Sequence, residues 1–89
     1  MTTRTARIIN KLGLHARPSA QLVSVTSGFA SEVFISKGGL RINAKSIMGV
    51  MMLAAERGAE LLIEVDGPDE EEAADAIVKL IVSGFSEEI

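Results

Sequence analysis

The sequence contains no cysteine, and this absence excludes several kinds of chemistry at once. Disulfide bonds, thiolate nucleophiles, thiol redox reactions and cysteine-ligated zinc sites all require that side chain. The sequence also has a single histidine, His15, so one chain can build neither a two-histidine metal site nor a pair of imidazoles that relay protons. We therefore take His15 as the first candidate for any chemistry and expect no metal or other cofactor.

Long apolar runs and an excess of positive charge are also missing. Nowhere do about 18 consecutive apolar residues occur, so we expect no membrane-spanning or secretory segment. Nine basic residues face twelve acidic ones, which gives a formal net charge of -3. Because a basic face is the usual electrostatic signature of nucleic-acid binding, we do not expect a nucleic acid as the partner.

The chain has 89 residues, of which 47% are apolar, and this is enough for one compact domain with a modest core. Period-two alternation predicts strands at residues 3–9, 32–36, 40–43 and 60–65. Helical spacing predicts helices at residues 16–27 and 46–57, and a third from residue 69 to a stop at residue 84. The order β-α-β-β-α-β-α predicts a single α+β domain over residues 1–89, with four mainly antiparallel strands and three helices on one face of the sheet.

Three helix ends carry specific predictions. Gly28 is expected to end the first helix in a left-handed conformation. The Ser46 hydroxyl is expected to cap the second helix, and Gly58 to close it. Asp69 is expected to cap the third helix, with Glu72 completing a box-like arrangement.

The segment of residues 13–18, with the sequence GLHARP, is the most specific chemical signal in the chain. His15 lies where a predicted loop becomes a helix, beside backbone N–H groups that have no acceptor within the helix. Pro18 fixes its φ in the first turn and leaves the amides of Ala16 and Arg17 free to face a ligand. The Arg17 guanidinium adds donors suited to phosphate oxygens. An imidazole, free amides and a guanidinium together favour a phosphoryl group carried on a histidine nitrogen.

With these residues, the chain resembles the HPr phosphocarrier family of the phosphoenolpyruvate-dependent phosphotransferase system, including its nitrogen-branch relatives, the NPr proteins. Residues 13–18 look like the family's active-site signature and residues 44–48 like its regulatory serine segment. The resemblance implies an open-faced β-sandwich and a cytoplasmic bacterial protein. It also implies that His15 accepts phosphate on Nδ1 from phosphorylated enzyme I and passes it to a IIA-type domain, with Arg17 stabilising the phosphate. Such a protein is a carrier intermediate and not an independent enzyme.

The resemblance also implies a protein-docking surface on the second helix. Ile47, Met48 and Met51 would lie exposed beside His15, with Ala20 and Ser24 of the first helix completing this docking patch. Flexible methionine side chains suit a surface that binds several partners in turn. Helical spacing alone leaves ordinary core packing open for these residues.

Ser46 has a second implied role, since the resembling serine of some relatives is phosphorylated by HPr kinase/phosphorylase. Phosphorylation there would place negative charge inside the docking patch. Residues 67–72 and 83–85 look more like the nitrogen-branch proteins, whereas residues 45–48 look more like kinase-regulated HPr. The sequence therefore leaves the branch of the system open.

Two other classes of function are weighed against the carrier. A purely regulatory binding module would use the helix surface without phosphoryl transfer, but it leaves His15 without a task. A small-molecule-sensing α+β domain that pairs across sheets gives no reason for Arg17 beside His15. We therefore predict a phosphocarrier, with a monomer as the default oligomeric state.

Overall fold

The computed structural model describes residues 1–87. The strands are β1 (Thr2–Arg7), β2 (Glu32–Lys37), β3 (Leu40–Asn43) and β4 (Glu60–Asp66). The helices are α1 (Ala16–Ser27), α2 (Ile47–Met52) and α3 (Glu70–Val82), followed by a 3-10 helix at Gly84–Ser86. The predicted order β-α-β-β-α-β-α is confirmed, with the 3-10 helix as an unpredicted addition.

All four strands form one sheet in the order β1-β4-β2-β3, and every neighbouring pair is antiparallel. One face of the two central strands is fully buried against the helices, and it carries Val33, Ile35, Leu61, Ile63 and Val65. The opposite face is open, as the exposure of Thr5 and Leu62 illustrates. This alternation is typical of a sheet with one covered and one wet face, and it confirms the predicted α+β fold.

The second helix is shorter than predicted, because α2 ends at Met52 and not at residue 57. Leu53 and Ala54 are acceptable helix residues, so nothing in the local pattern marks the end. Ala54 turns into the left-handed region at φ 47°. Lys37 Nζ then donates to the carbonyl oxygens of Leu53 at 3.2 Å and Ala54 at 3.0 Å, while Ala55 turns into the core. These long-range contacts stabilise the break and override helix propensity.

The predictions at two helix ends have opposite outcomes. The Ser46 side chain accepts a hydrogen bond from the Gly49 amide at 3.1 Å, so the predicted cap of α2 is confirmed. The prediction for Gly28 is wrong, since this residue is right-handed at φ -79°. The Gly28 amide donates a hydrogen bond to the Val25 carbonyl oxygen at 3.1 Å. The chain therefore leaves α1 in a right-handed turn, which needs no positive φ.

Asp69 occupies the position before α3, but its side chain does not cap that helix. The carboxylate instead accepts hydrogen bonds from the amides of Ala30 and Ser31, both at 2.9 Å, and from the Ser31 hydroxyl. Gly67 allows this contact, because a Cβ there would lie 2.5 Å from Ser31 Oγ. Asp69 therefore joins the β4–α3 turn to the α1–β2 loop, a partner 38 residues away that local spacing cannot predict.

Candidate functional site

His15 is the N-cap residue of α1, with extended backbone angles of φ -80° and ψ -171°. Gly13, at φ 68°, brings the preceding loop against the segment after α2, where an added Cβ would lie 2.3 Å from the Ala55 carbonyl oxygen. That oxygen accepts the Leu14 amide at 2.9 Å, and the Ser19 hydroxyl donates to the Leu14 carbonyl at 3.3 Å. Both backbone polar groups of Leu14, the residue before His15, are therefore hydrogen-bonded. A side chain at position 13 cannot fit without moving the backbone.

The first turn of α1 leaves amides without acceptors, as the sequence predicted. The first helical hydrogen bond runs from the Ser19 amide to the His15 carbonyl at 3.0 Å. Pro18 is buried and has no N–H to donate. Within residues 1–87, the amides of Ala16 and Arg17 have no hydrogen-bond acceptor. Free amides at a helix start, together with the helix dipole, favour an anion at this position.

Sequence reasoning missed Glu87, whose carboxylate contacts the imidazole. Nε2 of His15 lies 2.9 Å from Oε2 and 3.0 Å from Oε1 of Glu87. The Glu87 side chain is only 14% exposed, whereas that of His15 is 36% exposed. The ring is therefore accessible on one side and paired with a carboxylate on the other.

Glu87 reaches the imidazole through an unusual turn after α3. Gly84, Phe85 and Ser86 all have positive φ, at 74°, 58° and 58°. The Phe85 ring is fully buried and anchors this turn, and the Glu87 amide bonds the Gly84 carbonyl at 3.0 Å. Two consecutive left-handed residues other than glycine are rare, so local sequence gives no signal for this turn.

The carboxylate fixes which ring nitrogen carries the proton. The hydrogen bond to the His15 ring is the largest cause that holds the pKa of the Glu87 carboxyl below its usual value, against the opposing effect of partial burial. Hydrogen bonding from Asn10 and the charges of His15 and Arg17 act in the same lowering direction. An ionised carboxylate has no proton to donate, so Nε2 must be the donor in this contact. In a neutral imidazole, Nδ1 then keeps its lone pair and is the nucleophilic nitrogen.

Arg17 borders a pocket of about 460 Å³ together with Lys11, Leu12, Ser86 and Glu87. Its side chain is exposed, and no carboxylate of residues 1–87 lies within salt-bridge distance of it. Two cations thus border a pocket that is also lined by Glu87, the hydrogen-bond partner of Nε2 of His15. This arrangement can accommodate a phosphoryl group and can attract an acidic partner surface.

The residues assigned to the docking patch all lie exposed on α1 and α2. Met48 is 73% exposed, Met51 45% and Ile47 42%. Ala20 and Ser24 are exposed on α1, which packs beside α2. Core packing, the interpretation that helical spacing left open, does not apply to these side chains. Met52, which was not assigned to the patch, is also 66% exposed.

Ser46 is exposed at the start of α2, where its hydroxyl serves as the cap. Among residues 1–87, no group of three or more side chains is arranged to hold a metal ion. None of the helices in this described part of the chain has the length and apolar character needed to cross a membrane.

The fold and site together define a small α+β protein with its single histidine at a helix start. Residues 2–83 match the family model described as the HPr component phosphorylation site of the phosphotransferase system. The chain belongs to this HPr phosphocarrier family.

Curated relatives include proteins named HPr and proteins named NPr. The phosphocarrier protein HPr of Cupriavidus necator is 54% identical over 87 residues, covering 98% of each chain. The phosphocarrier protein NPr of Escherichia coli is 40% identical over 86 residues, covering 96% of each chain. Among solved structures, HPr-C-His from Thermoanaerobacter tengcongensis superposes with a TM-score of 0.96 at 46% identity, covering all of both chains. An HPr dimer from the same organism gives a TM-score of 0.78 at 46% identity, over 98% of this chain and 100% of that one.

Proposed function

We propose that this protein accepts a phosphoryl group on Nδ1 of His15 from phosphorylated enzyme I and passes it to a IIA-type domain of the phosphotransferase system. The observation that carries the proposal is the position of the ring. It lies at the start of α1, and Glu87 holds Nε2 at 2.9 Å, so Nδ1 is left as the nucleophile. Phosphohistidine formation needs a lone pair on one nitrogen and a proton held on the other.

In the transfer step, the Nδ1 lone pair forms a bond to phosphorus while the bond from phosphorus to the donor breaks. The ring becomes more positive as the N–P bond forms, and the Glu87 carboxylate stabilises that charge through Nε2–H. The Arg17 guanidinium and the amides of Ala16 and Arg17 stabilise the phosphoryl oxygens. Transfer onward is the same displacement with a nucleophile of the IIA-type domain, so the protein ends unchanged as a carrier and not as an independent catalyst.

The docking patch is the proposed surface for both enzyme I and the IIA-type domain. Its side chains are apolar or small, and an exposed cluster of large apolar residues on a small protein is typical of a recognition site. Lys11 and Arg17, which border the same pocket as Glu87, supply positive charge that steers acidic partners toward the nucleophile. His15, Glu87 and Arg17 all come from one chain, which supports action as a monomer. The proposed compartment is the cytoplasm.

Phosphorylation of Ser46 by an HPr kinase/phosphorylase is the proposed regulation. The hydroxyl is exposed, and the helix start tolerates an added dianion there. The same dianion would stand next to Ile47 and Met48 and weaken the binding of partners to the docking patch. Incubation with such a kinase and ATP should label Ser46 and weaken binding to enzyme I, whereas unchanged binding after labelling would contradict the mechanism.

The carrier role is tested by supplying enzyme I, phosphoenolpyruvate and Mg²⁺, with the metal belonging to the upstream enzyme. We expect an acid-labile phosphate on His15 and none on His15→Ala. Addition of a IIA-type domain should then discharge the labelled protein. Failure of the folded wild-type protein to accept phosphate from active enzyme I would overturn the proposal and favour a purely regulatory binding module.

A further inference from the structure

Asn10 lies behind the imidazole and contacts both the loop before His15 and the carboxylate beside it. Its side chain is fully buried. Nδ2 donates one hydrogen bond to the Gly13 carbonyl at 2.9 Å and another to Oε1 of Glu87, also at 2.9 Å. The same carboxylate oxygen lies 3.0 Å from Nε2 of His15. A continuous chain of hydrogen bonds therefore runs from Asn10 through Glu87 to the reacting ring.

The orientation of the Asn10 amide follows from its neighbours. Both groups that face Nδ2 are acceptors, so a flipped amide would point its oxygen at a carbonyl and a carboxylate. In the observed orientation both amide hydrogens are used, but Oδ1 is buried without a hydrogen-bond partner among residues 1–87. Burial of an unpaired acceptor costs free energy. Asn10 is buried although its Oδ1 has no hydrogen-bond partner, and both of its N–H groups donate to the loop and the carboxylate at His15. This arrangement points to a role of Asn10 in the site.

We propose that Asn10 is a positioning residue for phosphoryl transfer, which holds the Glu87 carboxylate so that the His15 proton stays on Nε2 and Nδ1 stays free. This inference rests on the proposed function and assigns a further residue to the same site. The Glu87 carboxylate sits on a turn of three positive-φ residues, and within residues 1–87 its side chain bonds only His15 and Asn10. Without Asn10, rotation of the carboxylate away from the ring loses only the contact with His15.

The single histidine makes the ring proton directly observable. In protein labelled with ¹⁵N-histidine, the long-range couplings of the imidazole report which nitrogen is protonated. We expect wild type to carry the proton on Nε2, and Asn10→Ala to show a mixture of both tautomers. Phosphoryl transfer from enzyme I should slow roughly tenfold, by analogy with the lower end of the effect of removing the hydrogen-bond partners of metal-ligating histidines.

A double-mutant comparison separates action through Glu87 from a general effect on the loop. Asn10→Ala should slow transfer in wild type but change it little in a Glu87→Gln background, where the carboxylate is already absent. If Asn10 acts through the Gly13 loop alone, the fold-change is the same in both backgrounds, and that result would overturn the inference. Asn10→Ser, too short to reach Glu87, gives the same comparison if Asn10→Ala does not fold.

Thr26→Val is the matched structural control. Thr26 is buried, and its hydroxyl can donate to the carbonyl oxygen of Ala44 at 2.8 Å or of Val23 at 3.1 Å, neither of which is a partner of His15. This variant should lose stability but keep the wild-type tautomer. An Asn10→Ala protein with the wild-type tautomer and transfer rate would refute the positioning role. The ring-proton measurement needs no enzyme I, so it tests Asn10 even if the wild-type protein proves not to be a carrier.

Discussion

Residues with left-handed backbone conformations occur in the segments that contact the histidine loop or the imidazole. Gly13 lies just before it at φ 68°, Ala54 lies in the segment after α2 at φ 47°, and Phe85 lies in the turn that delivers Glu87 at φ 58°. At Ala54 and Phe85, which are not glycines, this backbone is strained, and such strain persists only where surrounding contacts hold it and is enriched at functional sites. Here each such residue supports a segment that contacts the histidine loop or the imidazole.

Replacement of Ala54 by glycine should stabilise the protein. Ala54 is exposed and holds a positive φ that costs alanine more than glycine. Ala54→Gly should therefore raise the free energy of unfolding by roughly 0.5–1 kcal/mol, a net value that already includes the greater freedom of glycine in the unfolded chain. Urea denaturation measures the change. Ala76→Gly in α3 is the control and should lose about 1 kcal/mol, because its backbone is helical. Equal losses at both positions would contradict the strain at Ala54.

Replacement of Gly13 by alanine should damage both stability and transfer. The Cβ would lie 2.3 Å from the Ala55 carbonyl oxygen, so the loop must move and take His15 with it. The free energy of unfolding should fall by more than about 1 kcal/mol, and transfer from enzyme I should slow. Gly38→Ala isolates the clash, since Gly38 has φ 59° but nothing within 4 Å of its Cβ. We expect Gly38→Ala to lose stability but keep the transfer rate, and a slow Gly38→Ala would show that strain alone causes the defect.

Of the individual residues of the site, about half could be predicted from the sequence. His15, Arg17 and the free amides lie within one short segment, so spacing alone brings them together. Glu87 is 72 residues from His15, and its approach depends on a turn whose left-handed residues carry no sequence signal. Asn10 is close in sequence, but its role is visible only once Glu87 is in place.

Among the secondary-structure elements, α2 departs most from its predicted form. The apolar pattern continues past Met52, so it predicts a longer helix, and only the contacts of Lys37 and Ala55 reveal the break. The break has a functional consequence. Because the helix stops early, Ala55 can turn its carbonyl toward the histidine loop while Met48 and Met51 stay exposed.

Truncation of Met48 should weaken partner binding without unfolding the protein. Met48 is 73% exposed, so Met48→Ala should change the free energy of unfolding by less than about 0.5 kcal/mol. If the residue is central to the docking patch, the KM of enzyme I for this protein should rise about fivefold, as expected for a loss of ~1 kcal/mol at an interface. Leu62→Ala, on the open face of the sheet, should leave that KM unchanged. The same rise in both variants would argue against α2 as the docking surface.

Substitution of Ser46 can separate its cap from its regulation. Ser46→Ala removes the acceptor for the Gly49 amide and should cost about 1 kcal/mol of stability. Ser46→Asp keeps a good cap and adds charge that the helix start favours, so it should be at least as stable as wild type. Enzyme I kinetics should nevertheless show a raised KM for Ser46→Asp only. A raised KM for Ser46→Ala alone would assign the effect to the loss of the cap.

In the whole molecule, three acidic side chains connect distant parts of the chain and make its stability sensitive to acid. Asp69 binds the α1–β2 loop, Glu70 binds the hydroxyl of Thr2, and Glu87 binds the ring of His15. The Ser31 hydroxyl is the largest cause that lowers the pKa of Asp69, with the Ala30 amide next. The pKa of Glu70 is lowered chiefly by Thr2, and the pKa of Glu87 chiefly by the hydrogen bond to His15.

The sign of the pH dependence follows from these directions. A carboxyl whose pKa is lower in the folded state binds more protons when unfolded, so its contribution is fully present above its unfolded pKa of about 4. That contribution is lost as the pH falls through the lowered folded values. Urea denaturation between pH 7 and pH 2 should therefore show the free energy of unfolding falling below about pH 4.

Asp69→Asn tests the contribution of one of these contacts to the whole. At pH 7 the variant should be less stable than wild type, because an amide has only one acceptor oxygen and must turn its NH₂ group toward the backbone N–H of either Ala30 or Ser31. At low pH, where Asp69 itself is protonated, the two proteins should converge in stability. Ser31→Ala removes the largest cause of the lowered Asp69 pKa. Its stability should therefore also lie below that of wild type at pH 7 and approach it at low pH, but with a smaller difference at pH 7 than for Asp69→Asn. If Asp69→Asn lost as much free energy of unfolding as wild type between pH 7 and pH 2, Asp69 would not be the source of the acid sensitivity. The source would then be Glu70, through its contact with Thr2, and Glu87, through its contact with His15.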